Sequence, residues 1–207
     1  MSDLQFQYLA LEEDEQIVLL SINRPKALNA INVDVLSELG TAVEALGKRS
    51  DVRALIITGA GDRSFVAGAD IAQMSDYNED EAKTFAAQGH QVLAAMEALP
   101  FPVIAAVNGF ALGGGCELAL GCDIILAAEG AKFGQSEVKL GLIPGMGGCI
   151  RLPRKIGPAA ACEWIFSAQI YDAQQAKEVG LVREVLPVDK LLDRAKELAK
   201  VIAKQGP

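Results

Sequence analysis

Short, continuous apolar segments constrain the fold of this chain most. Residues 53–58 contain the run Ala-Leu-Ile-Ile and predict a buried strand, as do residues 102–107 and 123–128. Runs of this kind are typical of strands that are covered on both faces, as in parallel sheets. Residues 79–99 have helical periodicity and lie between two of these segments. Strands that alternate with helices predict an α/β domain with parallel pairing.

The two ends of the chain add further elements. Residues 6–12 and 16–22 predict two strands joined by a charged turn. Asp34 is predicted to cap a helix whose apolar face starts at Val35. Towards the C-terminal end, the pattern predicts a strand at 182–186 and a helix at 190–204.

Composition and charge exclude several classes of function. The formal net charge of −8 argues against nucleic acid as a partner. No stretch of eighteen apolar residues lacks a charge, so no membrane span is predicted. The first residues do not resemble a signal peptide, which favours the cytoplasm. The four cysteines lack the paired spacing of zinc sites and are predicted to be reduced and buried. With His90 as the only histidine, a Ser-His-Asp site or a His-rich metal site is not expected.

Two carboxylates occupy segments that the sequence predicts to be buried. Glu117 and Glu137 each lie in a mostly apolar stretch interrupted by glycine. A buried carboxylate loses its hydration, so its presence indicates a function. Two of them beside glycine-rich backbone suggest general acid/base chemistry next to an anion-stabilising turn. For Glu137, the alternatives are a surface carboxylate or a helix cap.

Three other segments could bind a ligand. Residues 109–117 carry three consecutive glycines, whose N–H groups could converge at a helix N-terminus, although a tight strand-to-helix crossing also needs small residues. Residues 64–71 form a small-residue loop that could equally be a plain loop. In residues 23–30, Arg24 and Lys26 offer positive charge to a phosphate, and the alternative is a solvated basic turn.

Taken together and in this order, five segments resemble the enoyl-CoA hydratase (crotonase) family over residues 18–185. Any one segment is modest evidence, but all five in register are specific. The matching residues are Arg24-Pro25 with Leu28-Asn29-Ala30, Phe65 with Ala67-Gly68-Ala69-Asp70, Asn108-Gly109 with Ala111, Gly113-Gly114-Gly115 and Glu117-Leu118, Phe133-Gly134 with Glu137, and Gly141 with Pro144-Gly145 and Gly147-Gly148.

The resemblance implies an α/β fold, a crotonase-like spiral core of repeated ββα units with helices packed around it. It implies a core domain over residues 1–190 and, over 191–207, the start of a C-terminal helical region used for trimer assembly. A homotrimer or a dimer of trimers is therefore expected for a full-length family member. Family members continue beyond the position at which this chain stops. If the chain is a truncated form, we expect exposed apolar surface, altered assembly and impaired activity.

The resemblance also implies the activity and its residues. The family adds water to a trans-2-enoyl-CoA thioester in a reversible syn addition, giving 3-hydroxyacyl-CoA, without a metal or redox cofactor. Glu117 is expected to deprotonate water and Glu137 to protonate the α-carbon. The backbone N–H groups of Ala69 and Gly114 are expected to form the oxyanion hole that stabilises the thioester enolate. The residues expected along the coenzyme A moiety are Lys26, Ala27, Leu28, Ala67, Gly68, Asp70 and Ile71.

Other activities remain open on the same framework. An enoyl-CoA isomerase, a decarboxylase or a thioester hydrolase shares the oxyanion hole, but these enzymes generally lack one glutamate of the pair. A non-catalytic acyl-CoA-binding protein is a further alternative. Acyl chain length, metabolic pathway and whether this chain is active as it stands are not given by the sequence.

Overall fold

The apolar segments form the centre of a six-stranded sheet in the computed structural model, which describes residues 5–206. The first strand pairs antiparallel with the second, and every other pair in this sheet is parallel. This confirms the predicted α/β class with parallel pairing. In sheet order, the strands are β1 (Leu9–Asp14), β2 (Ile17–Ile22), β3 (Ala54–Gly59), β5 (Val103–Val107), β7 (Ile124–Ala128) and β10 (Glu184–Leu186).

A second sheet has four short strands, which the sequence analysis did not predict. Three of them follow directly after β3, β5 and β7, so each long strand of the first sheet leads into a short strand of the second. Repetition of this strand–strand–helix step produces the spiral core of ββα units that the resemblance implied. The short strands are β4 (Ser64–Val66), β6 (Phe110–Leu112), β8 (Lys132–Gly134) and β9 (Tyr171–Asp172).

Helices surround the two sheets, and two 3₁₀ turns cover Pro25–Ala27 and Glu137–Leu140. The predicted cap of the first helix was wrong by two residues. Asn32, not Asp34, accepts the hydrogen bond from the Val35 N–H, at 2.9 Å, because Asp34 already lies inside the helix. The helices are α1 (Val33–Gly47), α2 (Ile71–Met74), α3 (Glu79–Glu97), α4 (Gly114–Leu120), α5 (Gly148–Ile156), α6 (Pro158–Ser167), α7 (Ala173–Glu178) and α8 (Val188–Ala203).

The central strands are buried on both faces, as their apolar composition predicted. Within β3, Leu55 belongs to the main core, whereas Ile56 packs into a smaller core on the opposite face. Helix α8 covers that second face with Leu191, Ala195 and Ala199, which recur every four residues and so share one side of the helix. The helix therefore packs on the sheet, and the proposed division of the chain at residue 190 stays a prediction.

Two of the four cysteines differ from the prediction. Cys116 and Cys122 are buried, but Cys149 and Cys162 are exposed because each faces outwards from its helix. All four are free thiols. Among the helices described, none combines the length and the apolar composition that crossing a membrane requires.

Candidate active site

Glu117 lies in the first turn of α4, and the glycines before it explain how this helix starts. Gly113 has a φ of +49°, a conformation that side chains other than glycine rarely adopt. A Cβ on Gly115 would collide with the carbonyl oxygen of Val66. The glycines thus bring the helix start against β4, and Glu117 is only 1% exposed.

The carboxylate of Glu117 is held by backbone donors from a distant loop. Its Oε1 accepts hydrogen bonds from the N–H of Met146 at 2.8 Å and the N–H of Gly148 at 2.7 Å. Burial raises the pKa of Glu117, and these two hydrogen bonds oppose the rise because they favour the ionised form. No hydrogen bond within residues 5–206 uses Oε2, so this oxygen is left for a ligand.

Glu137 begins the 3₁₀ turn after β8 and is partly buried. Burial raises the pKa of Glu137 to about 7, and the charge of Glu117 adds to the rise. The two carboxylates are therefore close enough for the charge of Glu117 to act on Glu137. Burial raises the pKa of both carboxyls. Glu137 is partly buried, so it is not the fully exposed surface carboxylate that was one alternative from the sequence.

Two further groups surround Glu137. With its amide nitrogen turned towards Glu137, the fully buried side chain of Gln135 donates to both carboxylate oxygens, at 3.0 and 3.1 Å. A Cβ on Gly113 would lie 3.1 Å from Oε1 of Glu137. The glycine segment of one unit and the carboxylate of the next unit are therefore in contact.

The backbone nitrogen of Ala69 lies close to Gly114. A Cβ on Gly114 would be 3.7 Å from the backbone nitrogen of Ala69. Gly114 is the first residue of α4, so its N–H has no partner within the helix. No hydrogen bond within residues 5–206 has the Ala69 N–H as donor. Two adjacent free donors can stabilise a developing negative charge.

The segments expected to bind coenzyme A are joined by backbone hydrogen bonds. The N–H of Ala67 donates to the carbonyl of Leu28 at 3.1 Å. The N–H of Ile31 donates to the carbonyl of Gly68, and that of Asp70 to the carbonyl of Ile31, both at 2.8 Å. These bonds place residues 28–31 alongside residues 67–70, the segment that contains Ala69 and Asp70.

The basic residues of the N-terminal segment have different surroundings. Lys26 and Ala27 line an open cavity of about 380 Å³, and Lys26 is exposed. Arg24 lines the same cavity but donates to Asp70 at 3.1 Å, with both side chains mostly buried. The charge of Arg24 is therefore used within the protein, while Lys26 is available to a ligand. Ile71 follows Asp70 at the start of α2 and is exposed.

Asn29 has a role that the sequence analysis missed. Its fully buried amide donates to the carbonyls of Ala60 and Ser64, each at 2.9 Å. Its Oδ1 accepts from the N–H of Arg24 at 2.9 Å. One side chain thus ties the N-terminal segment to the loop that leads into β4. The signal available in the sequence was that Asn29 belongs to one of the segments that carry the family resemblance.

The sequence analysis also missed Arg151 and Glu97, because α3 and α5 are far apart in the chain. Arg151 contacts the carboxylate of Glu97 from α5, and its Nη1 donates to the carbonyl of Met146 at 2.9 Å. Met146 is the residue whose N–H holds Glu117. Arg151 therefore fixes the loop that orients this carboxylate.

In the part of the chain that the structure describes, no cluster of three or more histidine, cysteine, aspartate or glutamate side chains could hold a metal ion.

The chain is similar to known proteins over nearly its whole length. Residues 12–207 match the family described as enoyl-CoA hydratase/isomerase. A crotonyl-CoA hydratase from Syntrophomonas wolfei is 49% identical over 98% of this chain and 78% of its own length. A short-chain-enoyl-CoA hydratase from Clostridium acetobutylicum is 46% identical over 99% and 78%. A crystal structure of enoyl-CoA hydratase from Bacillus anthracis superposes with a TM-score of 0.95 and 40% identity, over 97% of this chain and 78% of that one.

Proposed function

The chain belongs to the enoyl-CoA hydratase/isomerase family, and from this premise we propose that it adds water to a trans-2-enoyl-CoA thioester. The product is a 3-hydroxyacyl-CoA, and the reaction is reversible. The observation that carries the proposal is the pair Glu117 and Glu137, two carboxyls whose pKa values are raised by burial, with the charge of Glu117 adding to the rise at Glu137. Hydration requires one group that accepts a proton and one that donates a proton.

Glu117 is the proposed general base. Its Oε1 is occupied by two backbone N–H groups, which fix the carboxylate and leave Oε2 to contact the water. Ionised Glu117 takes a proton from this water as its oxygen attacks the β-carbon. The two N–H donors support this role because they favour the ionised form despite burial.

Glu137 is the proposed general acid. With a pKa of about 7, it is protonated in about half of the molecules at neutral pH, so the proton is available. It transfers this proton to the α-carbon as the enolate collapses. Delivery of water and proton by carboxylates that share one site gives syn addition.

The N–H groups of Ala69 and Gly114 are the proposed oxyanion hole. Attack at the β-carbon moves negative charge to the thioester oxygen, and two fixed donors stabilise that charge in the transition state. Neither N–H has to break a bond within the described part of the protein before it binds this oxygen. Loss of one such donor typically raises the barrier by about 3 kcal/mol.

Coenzyme A is proposed to bind across the two joined N-terminal segments. Lys26 would contact a phosphate, while Ala27 and Leu28 contribute mainly backbone. Residues 67–71, with Ala67, Gly68, Asp70 and Ile71, would lie near the adenine. Asp70 acts through its ion pair with Arg24, which keeps the two segments together. Both proton transfers use the carboxylates, so the proposed reaction uses no metal or redox cofactor.

We also propose a homotrimer, or a dimer of trimers, in the cytoplasm. Support for assembly comes from exposed apolar side chains, of which Ile143 is 74% and Phe166 is 76% exposed. Support for the location comes from the four free thiols, which suit a reducing compartment.

The test is loss of the conjugated-thioester absorbance when the protein meets crotonyl-CoA. We expect measurable loss with the unmodified protein and no measurable loss with Glu117→Gln, which keeps the shape but not the base. Glu129→Gln, an exposed glutamate, is the matched control and is expected to retain activity. Binding of unreactive butyryl-CoA to Glu117→Gln checks that the site is intact. Equal turnover by Glu117→Gln and the control, or no turnover by any folded variant, would contradict the proposal.

A further inference from the structure

The side chain of Met146 packs between α3 and the start of α4. It is buried, and its backbone N–H is one of the two that hold Glu117. A Cβ on Gly114 would lie 3.6 Å from the sulfur and 3.7 Å from the terminal methyl of Met146. At its other side, the thioether contacts α3 at Gly89. The side chain therefore spans from α3 to the proposed oxyanion hole.

Gly89 makes room for this side chain. A Cβ at Gly89 would lie 2.5 Å from Cγ and 2.8 Å from Sδ of Met146. Because Cγ is only one bond from Cβ of Met146, rotation of the terminal bonds would not relieve the first contact. Glycine inside a helix such as α3 destabilises it relative to alanine. The contact with Met146 gives a physical reason for glycine at this position.

The terminal methyl of Met146 borders the space that the acyl group would enter. The position of a Cβ on Gly114 lies 3.7 Å from the nitrogen of Ala69 and 3.7 Å from that methyl. If the thioester oxygen binds between the N–H groups of Ala69 and Gly114, the acyl carbons that follow it must lie close to this methyl. The thioether is then a wall of the acyl pocket.

We propose that Met146, packed on Gly89, limits the length of the acyl chain and makes the protein selective for short enoyl-CoA thioesters. The proposal rests on the proposed function, because it assumes a thioester bound at Ala69 and Gly114. Shortening the side chain at 146 opens the pocket towards α3. Adding a side chain at 89 pushes the thioether towards Gly114 and narrows the pocket.

The experiment compares kcat/KM for trans-2-octenoyl-CoA with kcat/KM for crotonyl-CoA. In Met146→Ala, we expect the octenoyl/crotonyl ratio to rise at least about tenfold, since one methylene in an apolar pocket already discriminates by that factor. Met96→Ala is the matched control, because it removes the same atoms from a buried position on α3. It lowers stability without changing the ratio.

A second variant tests the contact with α3. Gly89→Ala is expected to lower kcat/KM for crotonyl-CoA about tenfold, but to have little effect in the Met146→Ala background. This non-additivity would show that the two residues act through their contact. If Met146→Ala does not fold, Gly89→Ala alone decides the matter, and unchanged crotonyl-CoA turnover in that variant overturns the proposal.

Binding separates this inference from the proposed function. Affinities for unreactive butyryl-CoA and octanoyl-CoA are measured by calorimetry on the unmodified protein and on Met146→Ala. If no enoyl-CoA is hydrated, the proposed function fails, yet a raised octanoyl/butyryl affinity ratio in Met146→Ala would still support the wall. An unchanged ratio in a folded Met146→Ala protein, in turnover and in binding, would overturn it.

Discussion

Arg151 and Glu97 form a two-bonded ion pair beside the loop that carries Met146, with Nε and Nη2 of the arginine each 2.8 Å from a carboxylate oxygen. The remaining nitrogen, Nη1, donates to the carbonyl of Met146. The backbone N–H of Met146 donates to Glu117. The orientation of the proposed general base therefore depends on an ion pair that does not contact it.

The first prediction concerns this positioning role. Arg151→Met leaves the Met146 carbonyl without its side-chain donor, and we expect kcat for crotonyl-CoA hydration to fall about ten- to a hundredfold because the carboxylate is displaced. Arg151→Lys is expected to lose activity as well, although it keeps the charge, since lysine lacks the planar fork that binds Glu97. Steady-state kinetics with crotonyl-CoA provide the measurement.

The control for this prediction is Arg154→Met, three residues further along α5 and exposed. It removes a similar charge without touching the loop and is expected to keep kcat. A higher KM with an unchanged kcat in Arg151→Met would mean that the arginine serves substrate binding or stability rather than orientation of Glu117.

The second prediction is the pH dependence of activity. Hydration needs Glu117 ionised and Glu137 protonated, and the reverse dehydration needs the opposite arrangement. Both directions thus use a pair that carries one proton, so we expect bell-shaped profiles of kcat/KM in both directions with the same apparent pKa values. The alkaline limb falls at about pH 7, where Glu137 loses its proton. Rates measured between pH 5 and 9 with crotonyl-CoA and 3-hydroxybutyryl-CoA test this, and a flat profile from pH 6 to 9 would exclude it.

The third prediction concerns stability. The pKa of Glu137 rises from 4.5 to about 7 on folding, so the folded protein holds this proton more tightly than the unfolded chain. The stability that this provides is present below pH 4.5 and is lost as the pH rises through about 7. Glu137→Gln cannot ionise, so we expect it to be more stable than the unmodified protein at pH 8 by about 1–2 kcal/mol, after allowing for partial exposure.

Urea unfolding at pH 5 and at pH 8 measures this effect. The advantage of Glu137→Gln is expected to shrink at pH 5, and Glu129→Gln serves as a control at an exposed site. An advantage that is equal at both pH values would show that the ionisation of Glu137 does not destabilise the folded state.

The main sheet could be predicted from the sequence because its strands are long and apolar. The central strands and α3 lie within two residues of the predicted limits at each end, since burial on both faces leaves a continuous pattern. The second sheet could not be predicted in this way. Its strands have two or three residues, which is too short for any period to emerge.

The same contrast holds for the site. Glu117 and Glu137 were visible because a carboxylate in an apolar, glycine-rich stretch is unusual in itself. Gln135 and the Arg151–Glu97 pair were not visible, because their roles depend on partners brought together by folding. Arg151 and Glu97 are 54 residues apart, and nothing in either local sequence indicates the other.

The last prediction tests the buried amide that joins the N-terminal segment to β4. Asn29 has a φ of +58°, a conformation that both asparagine and aspartate tolerate, so Asn29→Asp changes the hydrogen bonding with little backbone strain. The new carboxylate faces the carbonyls of Ala60 and Ser64 instead of donating to them. We expect a loss of about 2–4 kcal/mol in unfolding free energy at pH 7. The loss becomes smaller near pH 4, where the aspartate can be protonated and donate again.

Asn23→Asp, at an exposed position, is the control in the same urea titrations. Equal effects of the two substitutions at pH 7 would mean that the Asn29 amide does not stabilise the junction between these segments.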